Sequence, residues 1–453
     1  MTEEEEIPGE KENDLNDYSQ IDPLIAIGYQ AGPDSMYYIN PPQELSTYPM
    51  YLENPEKKEK NIGSFISYTL NGTDITEKMS RRYSDFFALY EKLVQRWPGV
   101  YIPKIPPKIM TKTTSKKTIK IRLRLLNRFC LNLSKIDYLY NSEETNIFKG
   151  NSQDIANLIN KLPELSLEEI VKRMKEAFPQ YDENYDILLG KPKITEFNNY
   201  LKKHLKTIES FQKVVETALE KRDQEKKNYI ELMKGLVDYE KNSISIYTEN
   251  QVENLIFNNP SYSEFEEKIK NLNKKMINYF ITLKDWLEEE ILDTEAMFLA
   301  TEMIDGIMEK EDKTGQKLEA IEAEFKKVES GGSSFKTLFK KKVNVIAEIT
   351  KEKDETQNKL DNLRLLVKIL ADNMEKQIEK FKKEKTQSYY RYLKIFAILQ
   401  KESNKVMKET WTIVKNALND LAPNAQQSNE DYVAEPISKE QVDIEQMDAD
   451  EGD

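Results

Sequence analysis

The chain has 453 residues, 32% charged and 38% hydrophobic, with a mean hydropathy of −0.71 and a net charge of −13. This length allows two or three domains, the hydropathy suits long exposed helices better than a compact enzyme, and no run of about 18 apolar residues exists to span a bilayer. A single cysteine, Cys130, excludes an intramolecular disulfide framework and fits a reducing compartment.

The charge is unevenly distributed. Residues 1–47 hold 11 Asp and Glu against one Lys, a net −10, and residues 422–453 hold 10 against one, a net −9. The body between them therefore carries +6. Both ends lack periodic apolar residues and are expected to be disordered acidic tails. The opening MTEEEEIPGEKEND has neither the basic nor the apolar region of a signal peptide, so a cytosolic protein with peripheral membrane contact is expected.

Residues 48–150 mix strand and helix signals. Ser64–Leu70 is rich in β-formers and ends at the turn pair Asn71-Gly72. Tyr48–Glu53 before it and Glu77–Tyr83 after it are expected to pair with it in a small antiparallel sheet. Asp85–Arg96 has apolar residues at Phe86, Ala88, Leu89 and Leu93, the spacing of a helix packed on that sheet. Pro103, Pro106 and Pro107 impose an extended segment, and Ile119–Leu133 resumes helical spacing with Leu126, Phe129 and Leu133. The expectation is an α+β domain of roughly 100 residues.

Residues 151–192 read as a connector. Within it, Ser166–Phe178 offers a capping box (Ser166, Glu169) and an apolar stripe of Leu167, Ile170, Val171, Met174 and Phe178 beside Lys172, Arg173 and Lys175. Two readings stay open: an amphipathic helix in a membrane interface, touching lipid through Leu167, Ile170, Met174 and Phe178, or a helix packed on its neighbour.

Residues 193–421 are almost wholly helix-forming, with Pro260 the one proline. Three stripes recur at steps of three and four: Ile194, Phe197, Leu201, Leu205, Ile208, Phe211 and Val215; Phe265, Ile269, Leu272, Met276, Phe280, Leu283, Leu287 and Ile291; Leu363, Val367, Leu370, Met374, Ile378 and Phe381. They predict helices over about 193–250, from a capping box at Ser263 and Glu266 to the break at Gly331-Gly332, and over about 336–421. A helix of about 60 residues is roughly 90 Å long. Three such antiparallel helices make a rod-like, all-α coiled bundle. Aromatic clusters (Tyr389, Tyr390, Tyr392, Phe396; Trp411) exceed what one such rod buries and point to dimerisation. The turn between the second and third helices carries Lys336, Lys340, Lys341 and Lys342, a candidate membrane contact whose alternative is a solvated turn.

The most distinctive feature is an interval without acids. Between Glu91 and Asp137 stand 12 Lys and Arg, among them Lys108, Lys112, Lys116, Lys117, Lys120, Arg122, Arg124 and Arg128, with Arg81-Arg82-Tyr83 just upstream. Arginine forks pair bidentately with phosphate oxygens and an aromatic ring can pack on a sugar face, so an anion site is expected over a merely solvated face. Nucleic acid is not expected, because the body's excess is small and no nucleic-acid motif appears.

The segments YPMYLENPEKKEKNIGSFISYTLNG, RRYSDFFALYEKL, YIPKIPPK and RLRLLNRFCLNL, in that order, resemble a PX (phox-homology) domain. With the helical region behind them, the chain resembles the PX-BAR sorting nexins over about residues 48–421. The resemblance implies that Arg82 grips the 3-phosphate of phosphatidylinositol 3-phosphate, that Tyr83 packs on the inositol ring, that Lys108 meets the 1-phosphate and that Arg122 holds the 4- and 5-hydroxyls. Arg81 is expected to support the fold. Lys112, Lys116 and Lys117 are further candidate membrane contacts.

No enzyme is expected. The sole histidine, His204, lies in a predicted long helix; one His and one Cys rule out a zinc site of the usual composition and argue against a Cys-His nucleophile, and neither a dinucleotide nor a P-loop glycine motif occurs. No cofactor and no metal are expected. The expected function is phosphoinositide-dependent, curvature-sensing or curvature-generating membrane binding in endosomal sorting, on the cytosolic face of endosomes. The expected partners are a second copy or another PX-BAR protein, and a retromer-like cargo complex. The rival expectation is a PX domain on a straight coiled coil that tethers without bending membrane.

Overall fold

The computed structural model describes residues 29–30, 38–39, 48–59, 64–108, 115–247, 255–258, 276–330 and 342–421. Most of both acidic ends, whose disorder the sequence predicts, lies outside these residues. Within 1–47 the described residues form two short strands, β1 (Tyr29–Gln30) and β2 (Tyr38–Ile39), paired antiparallel, which the expectation of a featureless tail did not include.

Three further strands form an antiparallel sheet in sequence order: β3 (Tyr51–Glu59), β4 (Ser64–Asn71) and β5 (Met79–Arg82). Its register pairs Leu52 with Leu70 and Tyr68 with Arg81. Alternation along β4 sends Ile66, Tyr68 and Leu70 into the core, as a half-buried strand requires. A register shift between Glu53 and Glu56 accompanies Asn54 at φ 46°, a left-handed conformation that asparagine tolerates. After β4, Gly72 lies so close to the Pro49 carbonyl that a Cβ would sit 2.1 Å from its oxygen. The turn is thus closed to larger residues.

Helix α1 (Tyr83–Arg96) follows β5 directly, and α2 (Lys116–Ser134) starts at Ser115, whose hydroxyl accepts from Thr118 N. Phe86 on α1 meets Phe129 on α2 and Phe148 edge-on, at 6.2 and 4.9 Å between ring centroids. Asn127 of α2 uses its side-chain amide to pair with both the N–H and the C=O of Leu52 on β3 (2.6 and 3.0 Å). Short helices α3 (Asp137–Tyr140), α4 (Glu143–Lys149) and α5 (Ile155–Asn160) complete this α+β layer.

Helix α6 (Leu167–Ala177) forms the expected capping box, with Ser166 N donating to Glu169 (2.7 Å) and Glu169 N to the Ser166 hydroxyl (3.2 Å). Its apolar stripe is not presented to a membrane. Val171 and Met174 are buried, and Leu167, Ile170 and Phe178 pack against the same core, Phe178 edge-on to Tyr138 at 5.0 Å. This corrects the interfacial reading: the stripe finds a complementary apolar face within the chain. Charge holds it there as well. Glu144, fully buried, pairs with Arg173 of α6 (2.7 Å) and Arg96 of α1 (2.6 Å), while the Arg173 guanidinium lies over Trp97 at 4.6 Å.

Three long helices follow: α7 (Ile187–Tyr239, continued by a wide turn Glu240–Ile244 and by Ser245–Tyr247), α8 (Phe280–Glu329) and α9 (Lys342–Leu421). The second helix is shorter than its stripe predicts. Met276–Tyr279 are not helical. There the Ile277 carbonyl accepts from Ser403, and the Asn278 amide donates to the Leu219 carbonyl and Asp223, so side-chain partners replace the helical ladder. The expected capping box at Ser263 and Glu266 lies outside the described residues.

The described chain divides into two compact units, one of the residues up to 217 with 280–396, the other of 218–279 with 397–421. In the first unit α7 and α8 run antiparallel, with Asn198 bonded to Asp305 and Phe211 against Trp286; α8 and α9 do likewise, with Trp286 bonded to Ser388. The α+β layer and these helices share one core. Gly99 (φ +80°) marks the join, since a Cβ there would come within 2.9 Å of Leu370 and 3.0 Å of Ile304. Further toward the start of α8, Arg124 of α2 pairs with Asp285 (3.1 Å), Glu288 and Glu289 (2.9 Å), and Arg128 with Glu289 (2.6 Å) and Asp293 (2.7 Å). In the second unit, Tyr229, Met233, Met276 and Val414 form the core, and the buried Arg222 donates to Ser403 (3.0 Å) and lies over the Tyr279 ring.

Two stability predictions follow from the buried ions. Glu144→Ala strands two arginines and should lower the unfolding free energy by about 3 kcal/mol, read from urea midpoints at unchanged slope. Burial pushes the Asp285 carboxyl up to about 6, with Glu288 and Glu289 adding to it against Arg124 and Lys284. A carboxyl raised in the folded state binds more protons folded than unfolded, so its contribution weakens stability as pH rises from about 4 through 6. Asp285→Asn should therefore raise the unfolding free energy at pH 7 by on the order of 1 kcal/mol, read from urea midpoints, and flatten its pH dependence in that window.

Candidate functional site

The site grows from the junction of β5 and α1. Strand alternation turns consecutive arginines to opposite sides. Arg81 faces inward and is fully buried; its guanidinium donates to the carbonyls of Phe148 (3.0 and 2.9 Å), Ser80 (2.8 Å) and Gly150. It holds the α4 end against the sheet, as the sequence leads one to expect. Arg82 faces outward. Its backbone N–H donates to Asp85 (2.9 Å), which fixes the start of α1, while its side chain, 35% exposed, lies 3.5 Å from Asp85 and places its guanidinium carbon 5.8 Å from the Phe65 ring centroid.

Tyr83 opens α1 and donates its hydroxyl to the Pro106 carbonyl at 2.7 Å, tying the helix to the proline segment. Lys108 follows two residues later and is exposed. Arg122, from the first half of α2, places its guanidinium carbon 4.8 Å from the Tyr83 ring centroid. Its Nε and Nη2 are buried yet make no hydrogen bond. Burial pushes the Tyr83 phenol up, with the Arg122 charge opposing, so this ring stays neutral at physiological pH. A stacked cation with unused donors, flanked by an outward arginine, is suited to a phosphorylated polyol.

The structure thus places Arg122 on Tyr83 and ties Tyr83 to the proline segment that leads to Lys108, while Arg82, next to Tyr83 in the chain, turns its side chain to Phe65 and Asp85. Lys116 is exposed in the first turn of α2. Lys112, Lys336, Lys340 and Lys341 lie outside the described residues, as do the side chains of Lys117 and Lys342.

Much of the acid-free interval has another use. Lys92 donates to the carbonyls of Asn160 and Leu162, Arg96 pairs with Glu143 and Glu144, Lys104 with Glu295, and Arg124 and Arg128 with α8. Lys92 and Arg96 thus tie the α+β layer together, and Lys104, Arg124 and Arg128 join it to α8, rather than face an external anion. Two residues beside the pocket were not singled out in the sequence. Tyr68 carries a buried hydroxyl without a hydrogen-bond partner, and Phe87, 45% exposed, lies one helical turn beyond Tyr83 with ring centroids 6.5 Å apart. The alternation of β4 carries a signal for Tyr68, since it aims a polar tip into the core.

Residues 71–150 match the PX domain family. A stretch of 81 residues is 37% identical to Sorting nexin-41 of Neurospora crassa; it makes up 18% of this chain and spans only 12% of that relative's length. The chain is also similar to a structure described as the cryo-EM structure of the SNX-BAR Mvp1 tetramer, at a TM-score of 0.49 and 16% identity, over 81% of this chain and all of that one. The chain thus combines a PX-type domain with a long three-helix region among the described residues. No described helix is long and apolar enough to cross a membrane.

The two arginines of the RRY run should separate cleanly on mutation. Arg81→Ala leaves buried carbonyls without donors and should cost about 3 kcal/mol, whereas Arg82→Ala should cost about 0.5 kcal/mol or less, measured by chemical denaturation.

Proposed function

We propose that this chain is a PX-BAR sorting nexin, a peripheral membrane protein that reads phosphatidylinositol 3-phosphate on the cytosolic face of endosomes and acts in cargo sorting. The observation that carries the reading is the Arg122 guanidinium, held over the Tyr83 ring with two buried donors unused. A polyol headgroup would supply the missing acceptors: Arg122 takes the 4- and 5-hydroxyls, Arg82 the 3-phosphate and Lys108 the 1-phosphate, with Tyr83 under the ring. Desolvated, charge-assisted bonds of this kind are roughly twice as strong as neutral ones.

The helical region would add dimerisation and a preference for curved membrane. Tyr200, Val214, Tyr389, Tyr390 and Leu393 leave apolar side chains exposed on α7 and α9, which supports a partner helix from a second copy or from another PX-BAR protein. A retromer-like complex is the cargo partner this reading implies. Lipid identity and curvature then act together, and neither contact need be tight alone.

The test is co-sedimentation with vesicles matched in total charge, with and without phosphatidylinositol 3-phosphate. Wild type should pellet with that lipid, and Arg82→Ala and Arg122→Ala should each bind at least about tenfold more weakly. Equal pelleting of all three proteins with any anionic vesicle would sink the pocket assignment. Electron microscopy of the pellets separates the rivals: tubes support curvature activity, spherical vesicles a tether.

A further inference from the structure

We propose that Tyr68 is a positioning residue of the headgroup site, its hydroxyl setting the orientation from which the Arg122 guanidinium meets the ligand. The proposal rests on the phosphoinositide reading above and adds a residue outside the motifs that carry it.

Tyr68 stands at the centre of β4, 1% exposed, between Ile66 and Leu70 on the core face. Its ring is well packed, but its hydroxyl is buried with no hydrogen-bond partner. A phenylalanine would fill the same space without leaving a buried polar atom unmet, which is destabilising. The hydroxyl therefore stands at a stability disadvantage, and its surroundings suggest what offsets it. Across the sheet Tyr68 pairs with Arg81, one residue before the outward Arg82 and two before Tyr83. The Arg122 guanidinium lies beside its oxygen: burial raises the Tyr68 phenol, and the charge and hydrogen-bonding reach of Arg122 oppose that rise.

Arg122 is thus placed between two tyrosines in different ways. Tyr83 offers the face of its ring, at 4.8 Å, which fixes the guanidinium's height but leaves it free to turn in its plane. Tyr68 offers one oxygen, which can accept from only one edge of the fork. Among the described residues, Nε and Nη2 are left without another acceptor. When a headgroup hydroxyl draws one donor outward, the phenol is placed to accept from another, so the fork settles in a single orientation. Tyr68 is too deeply buried to touch the headgroup and acts through Arg122.

The experiment is vesicle co-sedimentation of the full chain, using phosphatidylcholine vesicles with phosphatidylinositol 3-phosphate or with charge-matched phosphatidylserine, for wild type, Tyr68→Phe, Arg122→Lys and the double variant, with melting midpoints for each. Tyr68→Phe should bind the phosphoinositide vesicles about fivefold more weakly while melting at or above the wild-type midpoint. In the Arg122→Lys background, which has no planar fork to orient, Tyr68→Phe should make no further difference. Three results would overturn the proposal: wild-type affinity in Tyr68→Phe; the same fivefold loss in both backgrounds; or a loss that tracks a lowered melting midpoint, which marks packing instead. If wild type itself shows no preference for the phosphoinositide vesicles, the functional reading falls and this proposal with it. If wild type shows that preference and Tyr68→Phe matches it, only this proposal falls.

Discussion

Helix α2 is the element on which the rest depends, because one run of arginines serves two faces. Arg122 turns to the pocket, where its donors are unused, while Arg124 and Arg128, two and six residues on, turn to the acidic stretch of α8. The ion network fixes α2 on the long helix, and α2 in turn fixes the pocket arginine. Desolvating so many charges is expensive, and the attraction repays it only because each cation meets more than one carboxylate. The acidic side shows the strain of this crowding in the raised Asp285 carboxyl, whereas Asp293, bracketed by Lys385 and Arg128, is held below its ordinary value despite its burial.

This arrangement makes the α+β layer and the adjoining parts of the long helices a single packed body. Gly99 lets the loop after α1 approach Leu370 and Ile304, and Tyr101 bonds Asp293 nearby. Apolar contact and ion pairs thus act on the same join. The Tyr83–Arg122 pair mounted this way has an orientation set by packing, and under the proposed function that would let several weak contacts be made at once.

Much of this was legible in the sequence. Alternation in β4 gave the sheet and its core face, the steps of three and four gave the long helices, and the inward and outward turns of Arg81 and Arg82 follow from strand geometry alone. What was illegible depended on distant partners. Nothing local distinguishes Arg122 from Arg124; the carboxylate that takes Arg124 lies 164 residues away. The stripe of α6 fits a membrane or a protein core equally well until the core is assembled. The second long helix starts later than its stripe, and just before that start the Asn278 side chain takes acceptors 55 and 59 residues back in the chain, partners no local pattern records.

Asn127 carries a consequence of a different kind. Its amide mimics a strand, answering both backbone groups of Leu52 on the outer edge of β3. An exposed edge of that sort is a template on which other chains can add strands. By occupying the ladder positions at Leu52 with a side chain from a helix, the protein closes that stretch of edge without spending a charge or a proline on it. An edge strand left open can recruit the sheet of another molecule, and here one amide blocks that at Leu52.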